Sequence, residues 1–304
     1  MARHFLEVDD LKPDELGAVL GLAGLAEPRQ VMTGRGMALL FEKPSARTRS
    51  STELAVVQLG GHPVYIQGQE VGIDSREPAE DVARVLASYH SVIGARVLDH
   101  ATLERMVGCL DAAGVDVPVV NLLSDRAHPC QALADLLTIR HSLGRLEGVT
   151  VAYVGDANNV CRSLMQACAL VGAAVRVATP EGYGPSDDDT ARAEAAGGDV
   201  VVTRSPAEAV AGADVVYTDV WTSMGQEDEA AVRRAAFAGY TVDEALMSGA
   251  ASGAIVLHCL PAHRGEEISA AVVDGPQSRV WDQAANRMHA VRGLLLWLMG
   301  ERPE

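Results

Sequence analysis

The sequence has very little lysine and far fewer basic than acidic residues. Only Lys12 and Lys43 are lysines, and 25 basic residues stand against 41 acidic ones, which gives a net charge of −16. Such an excess of negative charge repels nucleic acid and anionic membrane surfaces, so we expect neither as a partner. An anionic ligand of this protein must instead be bound by donors concentrated at one place. Because nearly all basic residues are arginines, a lone arginine carries little information and a close pair carries more.

The sequence also lacks long apolar runs and paired cysteines. No stretch of about 18 apolar residues occurs, so no membrane span is predicted. The first residues, MARHFLEVDDLKPDEL, lack the apolar core of a signal peptide. The cysteines contain no CxxC pair, which favours reduced thiols over disulfides or structural zinc and predicts a cytoplasmic protein. They are Cys109, Cys130, Cys161, Cys168 and Cys259.

Short apolar runs alternate with helical patterns along the 304 residues, a length that allows two domains. Eight runs are predicted to be strands: 37–42, 63–67, 91–97, 118–123, 149–155, 173–179, 213–220 and 254–260. Buried strands that alternate with helices predict an α/β fold of parallel sheets covered on both faces. A helix over 132–144 is the predicted domain boundary, and a long amphipathic helix covers 282–300. Region 182–199 is the most loop-like and leads into a surface helix.

The stretch FEKPSARTRSSTELAVV, residues 41–57, gathers positive charge and hydroxyl groups at one turn. It follows a predicted strand, and ligands of open α/β sheets bind at the carboxyl ends of strands. The first turn of a helix offers free N–H groups, and Arg47 adds a planar fork that matches phosphate oxygens. The other interpretation is an ordinary capped helix, because SSTE at 50–53 is a capping-box pattern. We expect Leu54 and Val57 to face the core.

Polar residues also follow two later strands. In the run AHPCQ, Pro129 suits the first helical position, which places His128 at the cap and Gln131 in the first turn. Both side chains can then meet a ligand, although a histidine cap without function is an equally good interpretation. The run YVGDANNVCRS, residues 153–163, lacks the glycines of a dinucleotide turn. Its asparagines either bind a zwitterion or cap the helix.

The last two strand ends carry a carboxylate, a thiol and histidines. Asp219 ends one strand, and Trp221 follows in a polar loop that either covers a ligand or packs as an anchor. Cys259 comes directly after His258, a poor spacing for joint metal ligation, and no other Cys/His cluster completes a site. We therefore expect no metal, and a thiol near a substrate amine is the better interpretation. By spacing alone, Arg287 is an ordinary surface arginine.

Together and in this order, these stretches resemble the aspartate/ornithine transcarbamoylase family over nearly the whole chain. Five motifs carry the resemblance: SARTR at 45–49, HPCQ at 128–131, DVWTSMG at 219–225, HCLP at 258–261 and AANRMH at 284–289. The SMG and HCLP motifs are the specific ones, because relatives that use aspartate typically carry His-Pro-Leu-Pro instead. The resemblance is thus to the members that use ornithine.

The resemblance implies two doubly wound parallel-sheet domains of similar size, with the C-terminal helix crossing back to the first domain. It implies a carbamoyl-phosphate-binding domain at 1–137 with helix 285–304, and an ornithine-binding domain at 138–284. The implied reaction transfers the carbamoyl group from carbamoyl phosphate to the side-chain amine of L-ornithine, giving L-citrulline and phosphate without a cofactor. A homotrimer with shared active sites and a role in arginine biosynthesis are also implied, while the direction of flux stays open.

Matching positions assign the implied roles to residues. Carbamoyl phosphate would be bound by Ser45, Ala46, Arg47, Thr48, Gln69, Arg96, His128, Gln131, Cys259, Leu260 and Arg287. Ornithine would be bound by Asn159, Asp219, Ser223 and Met224. The implied catalytic residues are Arg96, His128, Asp219, Cys259 and Arg287. Among these, the arginines and the histidine would stabilise the carbonyl oxyanion, and Asp219 and Cys259 would handle the proton.

Two positions depart from the family pattern. Ala46 replaces the usual threonine, which removes a hydroxyl but keeps the backbone N–H. Family members borrow a polar side chain from the adjacent subunit, and that position falls near Glu70, with Gln69 beside it. An ionised Glu70 would repel phosphate, so we predict that Gln69 makes the contact. The alternatives are a transcarbamoylase for putrescine or an acylated ornithine, a nucleotide-binding α/β protein, which the missing glycines disfavour, and a non-catalytic anion-binding module.

Overall fold

The computed structural model describes residues 2–222 and 227–303 and divides into two compact units. Unit 1 comprises Met1–Ala134 and Ala285–Glu304, and unit 2 comprises Asp135–Ala284. Each unit has its own parallel sheet and its own hydrophobic core. Ser223 and Met224, two of the predicted ornithine-binding residues, lie outside the described residues.

Unit 1 is built on four parallel strands. These are β1 (Gly36–Phe41), β2 (His62–Gln67), β3 (Val92–Arg96) and β4 (Val119–Leu123). The helices are α1 (Pro13–Ala23), α2 (Ala46–Gln58), α3 (Gly68–Val71), α4 (Ala79–Tyr89), α5 (His100–Ala112) and the start of α6 (Pro129–Leu143), after a 3-10 turn at Val8–Asp10. The sheet order is β2-β1-β3-β4, and the four predicted strands of this half are confirmed.

The strand order places a ligand position in unit 1. The chain runs from β1 to β2 and then returns to β3 on the other side of β1, so its direction reverses between β1 and β3. In open α/β sheets, ligands bind in the crevice at the carboxyl ends of the two strands beside such a reversal. The turn before α2 follows the end of β1, and Arg96 is the last residue of β3. Two predicted site segments therefore lie at this edge of the sheet.

Helix α2 differs from its prediction in its start and in its buried face. Ser45 caps it, with its Oγ accepting the N–H of Thr48 at 3.3 Å, so the SSTE run lies inside the helix. The prediction that Leu54 and Val57 face the core is wrong, because these side chains are 48% and 53% exposed. The buried stripe consists of Thr48, Thr52, Ala55 and Val56. This i, i+4, i+7, i+8 stripe passes through hydroxyl residues, which apolar patterning does not count.

Unit 2 is built on five parallel strands. These are β5 (Thr150–Val154), β6 (Ala174–Ala178), β7 (Asp199–Thr203), β8 (Val215–Thr218) and β9 (Ile255–His258), in the order β7-β6-β5-β8-β9. Besides the end of α6, the helices are α7 (Asn159–Leu170), α8 (Asp187–Ala195), α9 (Pro206–Val210), α10 (Ala230–Ala236), α11 (Glu244–Met247), α12 (Ala270–Val273) and the start of α13 (Val280–Leu298), with a 3-10 turn at Glu227–Glu229.

Alternate residues of the unit 2 strands enter two separate cores, one on each face of the sheet. Tyr153 and Tyr217 belong to one core, and Val154 and Val216 belong to the other. This doubly wound arrangement again reverses the chain direction, here between β5 and β8. The segments that follow β5, β8 and β9 therefore meet at one edge, where a ligand position is expected.

Strand β7 is the one strand of the described residues that the sequence analysis missed. It lies at the edge of the sheet, where Val201 and Val202 are 49% and 47% exposed. The preceding region, 182–199, was interpreted as a loop followed by a surface helix, and α8 occupies part of it. The β-branched run at 200–203 is the signal that indicates this strand.

The last helix, α13, belongs to unit 1 from Ala285 onward. It packs tightly on α1, because a Cβ at Gly293 would lie 2.5 Å from the Val19 carbonyl oxygen and 2.6 Å from the Ala23 nitrogen. Only glycine permits so close an approach of two backbones. The crossing of the C-terminal helix to unit 1 and the two parallel-sheet units confirm the predicted fold class. Within the described residues, no helix is long and apolar enough to span a membrane.

Candidate active site

One cluster of predicted site residues lies in unit 1 at the reversal between β1 and β3. We call it the anion cluster, and it comprises Ser45, Ala46, Arg47, Thr48, Arg96, His128, Gln131 and Arg287. The start of α2 supplies its backbone donors. Ser45 Oγ caps the helix and also donates to Thr48 Oγ1 at 3.1 Å. The first-turn N–H groups of Ala46 and Arg47 have no partner within the helix, so this turn suits an anion.

Arg287 joins three helices within the anion cluster. Its Nη1 donates to Gln131 Oε1 at 2.7 Å, and its Nη2 donates to Thr48 Oγ1 at 3.0 Å. Arg287 is only 6% exposed, so its interpretation as an ordinary surface arginine does not hold. The predicted placement of His128 and Gln131 is confirmed, because α6 begins at Pro129.

The anion cluster carries concentrated positive charge. Burial, followed by the nearby charges of Arg287 and Arg47, lowers the pKa of Arg96 to about 10. Burial and the same kind of repulsion, here from Arg287 and Arg96, hold the pKa of His128 well below its ordinary value, so this imidazole is neutral. No carboxylate of the described residues lies within 4.0 Å of a guanidinium nitrogen of Arg47 or Arg96. These guanidinium groups are therefore available to a bound anion.

A second cluster lies in unit 2 at the reversal between β5 and β8. We call it the carboxylate cluster, and it comprises Asn158, Asp219 and Cys259. Asp219 Oδ2 accepts the side-chain N–H of Asn158 at 2.8 Å. Asp219 Oδ1 accepts the Cys259 thiol at 2.9 Å and the backbone N–H of Val220 at 2.8 Å. A carboxylate held on both oxygens has a fixed direction, which suits it to orient an amine.

Asn158 is a residue of the carboxylate cluster that the matched motif did not assign. The matched asparagine, Asn159, is the first residue of α7, whereas Asn158 is its N-cap. Asn158 Oδ1 accepts the N–H groups of Val160 and Cys161, and its Nδ2 is left to bond Asp219. Asn158 thus caps the start of α7 and orients the carboxylate of Asp219, whereas Asn159 is the first residue of the helix. The N-cap preference for asparagine predicts its place at the start of α7, whereas its contact with Asp219 has no local signal.

The end of β9 is shaped by a buried histidine. His258 Nδ1 accepts the N–H of Leu260 at 2.9 Å, so its proton is on Nε2, which donates to Glu267 Oε1 at 3.0 Å. Leu260 has a left-handed backbone with φ of 62°, a conformation that is unfavourable for a branched residue. The bond from the histidine stabilises this turn and directs the backbone that follows Cys259. Glu267 was not identified from the sequence, because it lies in a loop nine residues after its partner at the end of β9.

His258, Cys259 and Asp219 lie close enough together to be considered as metal ligands. The adjacent positions of His258 and Cys259 predict poor joint ligation, yet their ligand atoms and one of Asp219 all lie within 4.8 Å of one another. Both ring nitrogens of His258 are already hydrogen-bonded within the protein, which leaves it no nitrogen for a metal. This group is therefore better explained as a hydrogen-bonded strand end than as a metal site.

Gln69 and Glu70 do not join the anion cluster within this chain. Both are exposed on the short helix α3. Arg76 Nη1 donates to the backbone carbonyl of Glu70 at 3.3 Å. Whether either side chain serves a neighbouring subunit stays a prediction.

The fold and the two clusters define a class: a two-domain α/β protein with a cationic site for a phosphate-like anion in one domain and a carboxylate–thiol site in the other. Family models agree with this division. Residues 3–141 match the carbamoyl-P binding domain of aspartate/ornithine carbamoyltransferase, and residues 147–298 match its Asp/Orn binding domain. The chain belongs to the aspartate/ornithine carbamoyltransferase family.

Individual relatives extend over nearly the whole chain. The ornithine carbamoyltransferase of Acidothermus cellulolyticus is 53% identical over 308 residues, covering 98% of this chain and 97% of the relative. That of a Parafrankia species is 49% identical, covering 99% and 97%. Among solved structures, ornithine carbamoyltransferase from Pyrococcus furiosus superposes with a TM-score of 0.92 at 44% identity, covering 98% and 97%.

Proposed function

We propose that this protein transfers the carbamoyl group from carbamoyl phosphate to the side-chain amine of L-ornithine, giving L-citrulline and phosphate. The observation that carries the proposal is the anion cluster, in which Arg47, Arg96 and Arg287 converge at a helix start within an otherwise acidic chain. Close relatives that bear the name ornithine carbamoyltransferase support it.

The anion cluster binds carbamoyl phosphate in this proposal. The first turn of α2 and Arg47 hold the phosphate oxygens, since backbone N–H groups and a planar guanidinium both match them. Arg96, neutral His128 and Arg287 donate to the carbonyl oxygen, which becomes negative when the amine adds to the carbon. Gln131 fixes the direction of Arg287 through their 2.7 Å bond. The phosphate that departs takes the electron pair of the broken C–O bond and is already paired with cations.

The carboxylate cluster prepares the amine in this proposal. The free side-chain amine of ornithine resembles that of lysine, with a pKa of about 10.4, so it arrives mostly as an ammonium ion and must lose a proton before it attacks. Asp219 and Cys259 are the groups assigned to that proton, and Asn159 and Asp219 bind the amino acid. The nitrogen then forms the new bond to the carbamoyl carbon. Positioning and charge stabilisation suffice for this reaction, so the proposal includes no cofactor.

The amine is the test of the proposal, because putrescine and an acylated ornithine are the alternatives. Citrulline formation, or the corresponding ureido product, is measured with L-ornithine, putrescine and N-acetylornithine at saturating carbamoyl phosphate. We expect L-ornithine to have the highest kcat/KM, because each polar group left unpaired by putrescine costs about 1–3 kcal/mol. Equal or higher kcat/KM with putrescine or N-acetylornithine would assign the alternative transcarbamoylase instead.

We also propose a homotrimer with shared active sites and a cytoplasmic location. Unit 1 exposes several large apolar side chains, which supports an interface between copies: Leu54, Val57, Val85 and Tyr89. Light scattering that gives a mass other than a multiple of three chains would contradict the trimer. The five cysteines are thiols and not disulfides, which is typical of a reducing compartment and supports the cytoplasm.

A further inference from the structure

Arg233 on α10 is a buried arginine with partners in three segments of unit 2. It is 7% exposed, and its Nη1 donates to Asp156 Oδ2 at 2.8 Å and to the Trp221 carbonyl oxygen at 3.1 Å. Its Nε donates to Glu229 Oε2 at 2.9 Å, and its guanidinium lies 5.1 Å from the centre of the Tyr183 ring. A single guanidinium thus holds groups that are far apart in the sequence.

Two of these partners adjoin the carboxylate cluster. Asp156 lies two residues before Asn158, in the segment that follows β5. Trp221 lies two residues after Asp219, in the segment that follows β8. Because Asn158 donates to Asp219, any shift between the two strand ends would change this bond. Arg233 links these same strand ends by a second, parallel connection.

We propose that Arg233 is a positioning residue for the amine substrate: it fixes the two strand ends that carry Asn158 and Asp219. The inference rests on the proposed function. Arg233 does not itself touch a residue assigned to the substrate, so it acts through Asp156 and the Trp221 carbonyl. Trp221 is held in turn by stacking on Phe237, with ring centres 5.6 Å apart and planes 15° from parallel.

Arg233 also compensates negative charge beside the carboxylate cluster. Asp156 is buried close enough to Asp219 that the charge of Asp219 disfavours the ionised form of Asp156. Burial raises the pKa of Asp156, and the Arg233 charge opposes that rise. Glu229 supplies a further negative charge to the same guanidinium. Arg233 therefore compensates the negative charge of Asp156, which lies beside the carboxylate cluster.

A purely structural ion pair would behave differently from a positioning residue. Loss of a structural ion pair lowers the stability of the protein, and the activity then falls equally for both substrates, in proportion to the fraction of protein that unfolds. Loss of a positioning residue changes the binding of one substrate in protein that remains folded. The neighbouring Arg234 offers a matched control, since it lies on the same helix, is 61% exposed in its side chain and pairs with half-buried Glu266.

The experiment compares Arg233→Gln, Arg233→Lys, Arg234→Gln and the double variant Arg233→Gln/Asp156→Asn with the wild type. Citrulline formation gives kcat and both KM values, and thermal unfolding reports the folded fraction. We expect Arg233→Gln to raise the ornithine KM by about tenfold or more, with the carbamoyl phosphate KM within about twofold. Arg233→Lys should lie between it and the wild type, because the charge remains but the fork is lost. Removing the uncompensated carboxylate in the double variant should lower the ornithine KM again.

Three results would overturn the inference. These are an ornithine KM within about twofold of the wild type, an equal rise of both KM values, or the same effect from Arg234→Gln. If Arg233→Gln does not fold, Arg233→Lys decides alone, and an unchanged ornithine KM in that variant contradicts the proposal. A wild-type protein that forms no citrulline would instead refute the proposed function, which keeps the two failures distinct.

Discussion

Replacing Arg96 by methionine separates the stability of unit 1 from its function. Arg96 is 4% exposed, and its buried Nε has no hydrogen-bond partner among the described residues. Its pKa falls to about 10 because of burial and of two neighbouring guanidinium groups. One pKa step corresponds to about 1.36 kcal/mol, so a fall from about 12.5 disfavours the charged side chain in the folded protein by about 3 kcal/mol.

The sign of this contribution follows from linkage. A cation whose pKa is lower in the folded than in the unfolded state is charged in both at pH 7, and there it lowers the free energy of unfolding. The loss is recovered only as the pH rises through about 10 toward the unfolded value. Methionine removes the charge and keeps most of the apolar length. We therefore expect Arg96→Met to be as stable as the wild type or more stable, by up to about 3 kcal/mol, in phosphate-free buffer at pH 7.

In the presence of phosphate, the wild type should become more stable than Arg96→Met. An anion at about a hundred times its Kd stabilises the protein that binds it by about 2.7 kcal/mol, and Arg96→Met should lose much of this gain. The kcat/KM for carbamoyl phosphate should fall by about 10²- to 10³-fold, as for removal of one oxyanion donor. Urea unfolding with and without phosphate and a citrulline assay measure the three quantities. Arg84→Met, an exposed arginine of α4, is the control that should change none of them.

An Arg96→Met protein that is less stable than the wild type without phosphate, and that gains as much stability from phosphate, would contradict this role of Arg96. That result would mean that Arg96 is stabilised by partners within the chain and is not held ready for an anion.

Three further predictions concern other residues of the site. Ala46→Thr restores a hydroxyl worth about 0.5–1.5 kcal/mol, so it should remain active with an equal or lower carbamoyl phosphate KM, and loss of most activity would show a differently built turn. Gln69→Ala should weaken carbamoyl phosphate binding more than Glu70→Ala does. If the site is shared between subunits, mixing Gln69→Ala chains with Arg47→Ala chains should restore part of the activity. No recovery after subunit exchange would exclude Gln69. His128 is neutral in the folded protein, so the free energy of unfolding should fall as the pH drops below the ordinary imidazole pKa of about 6.5. In urea titrations at several pH values, His128→Asn should make this fall smaller. An unchanged dependence on pH would contradict the prediction.

The sequence predicted most of the framework because buried parallel strands are continuous apolar runs. Eight of the nine strands follow from that signal, and β7 escapes it because its edge position leaves Val201 and Val202 half exposed. The face of α2 was mispredicted for a related reason. Its core-facing positions at Thr48 and Thr52 are polar in type, so apolar periodicity alone selects the wrong side.

The site was predictable where a motif gathers its residues and was missed where the contact is made across the fold. The SARTR and HPCQ stretches present their donors at helix starts, which local rules identify. Arg233 binds Asp156 across 77 residues, and Asn158 binds Asp219 across 61. No periodicity or cap preference relates such pairs, because the strand order of the sheet brings them together.

The chain order of α13 has a consequence for synthesis. Unit 1 begins the chain, but Arg287 and the part of α13 that packs on α1 are made only after the whole of unit 2. Domains generally fold as they emerge from the ribosome, and the N-terminal one usually finishes first. In this protein, unit 1 is the first unit to be synthesised in part and the last to be completed. A nascent chain therefore cannot form the bonds of Arg287 to Gln131 and Thr48 until translation is nearly over.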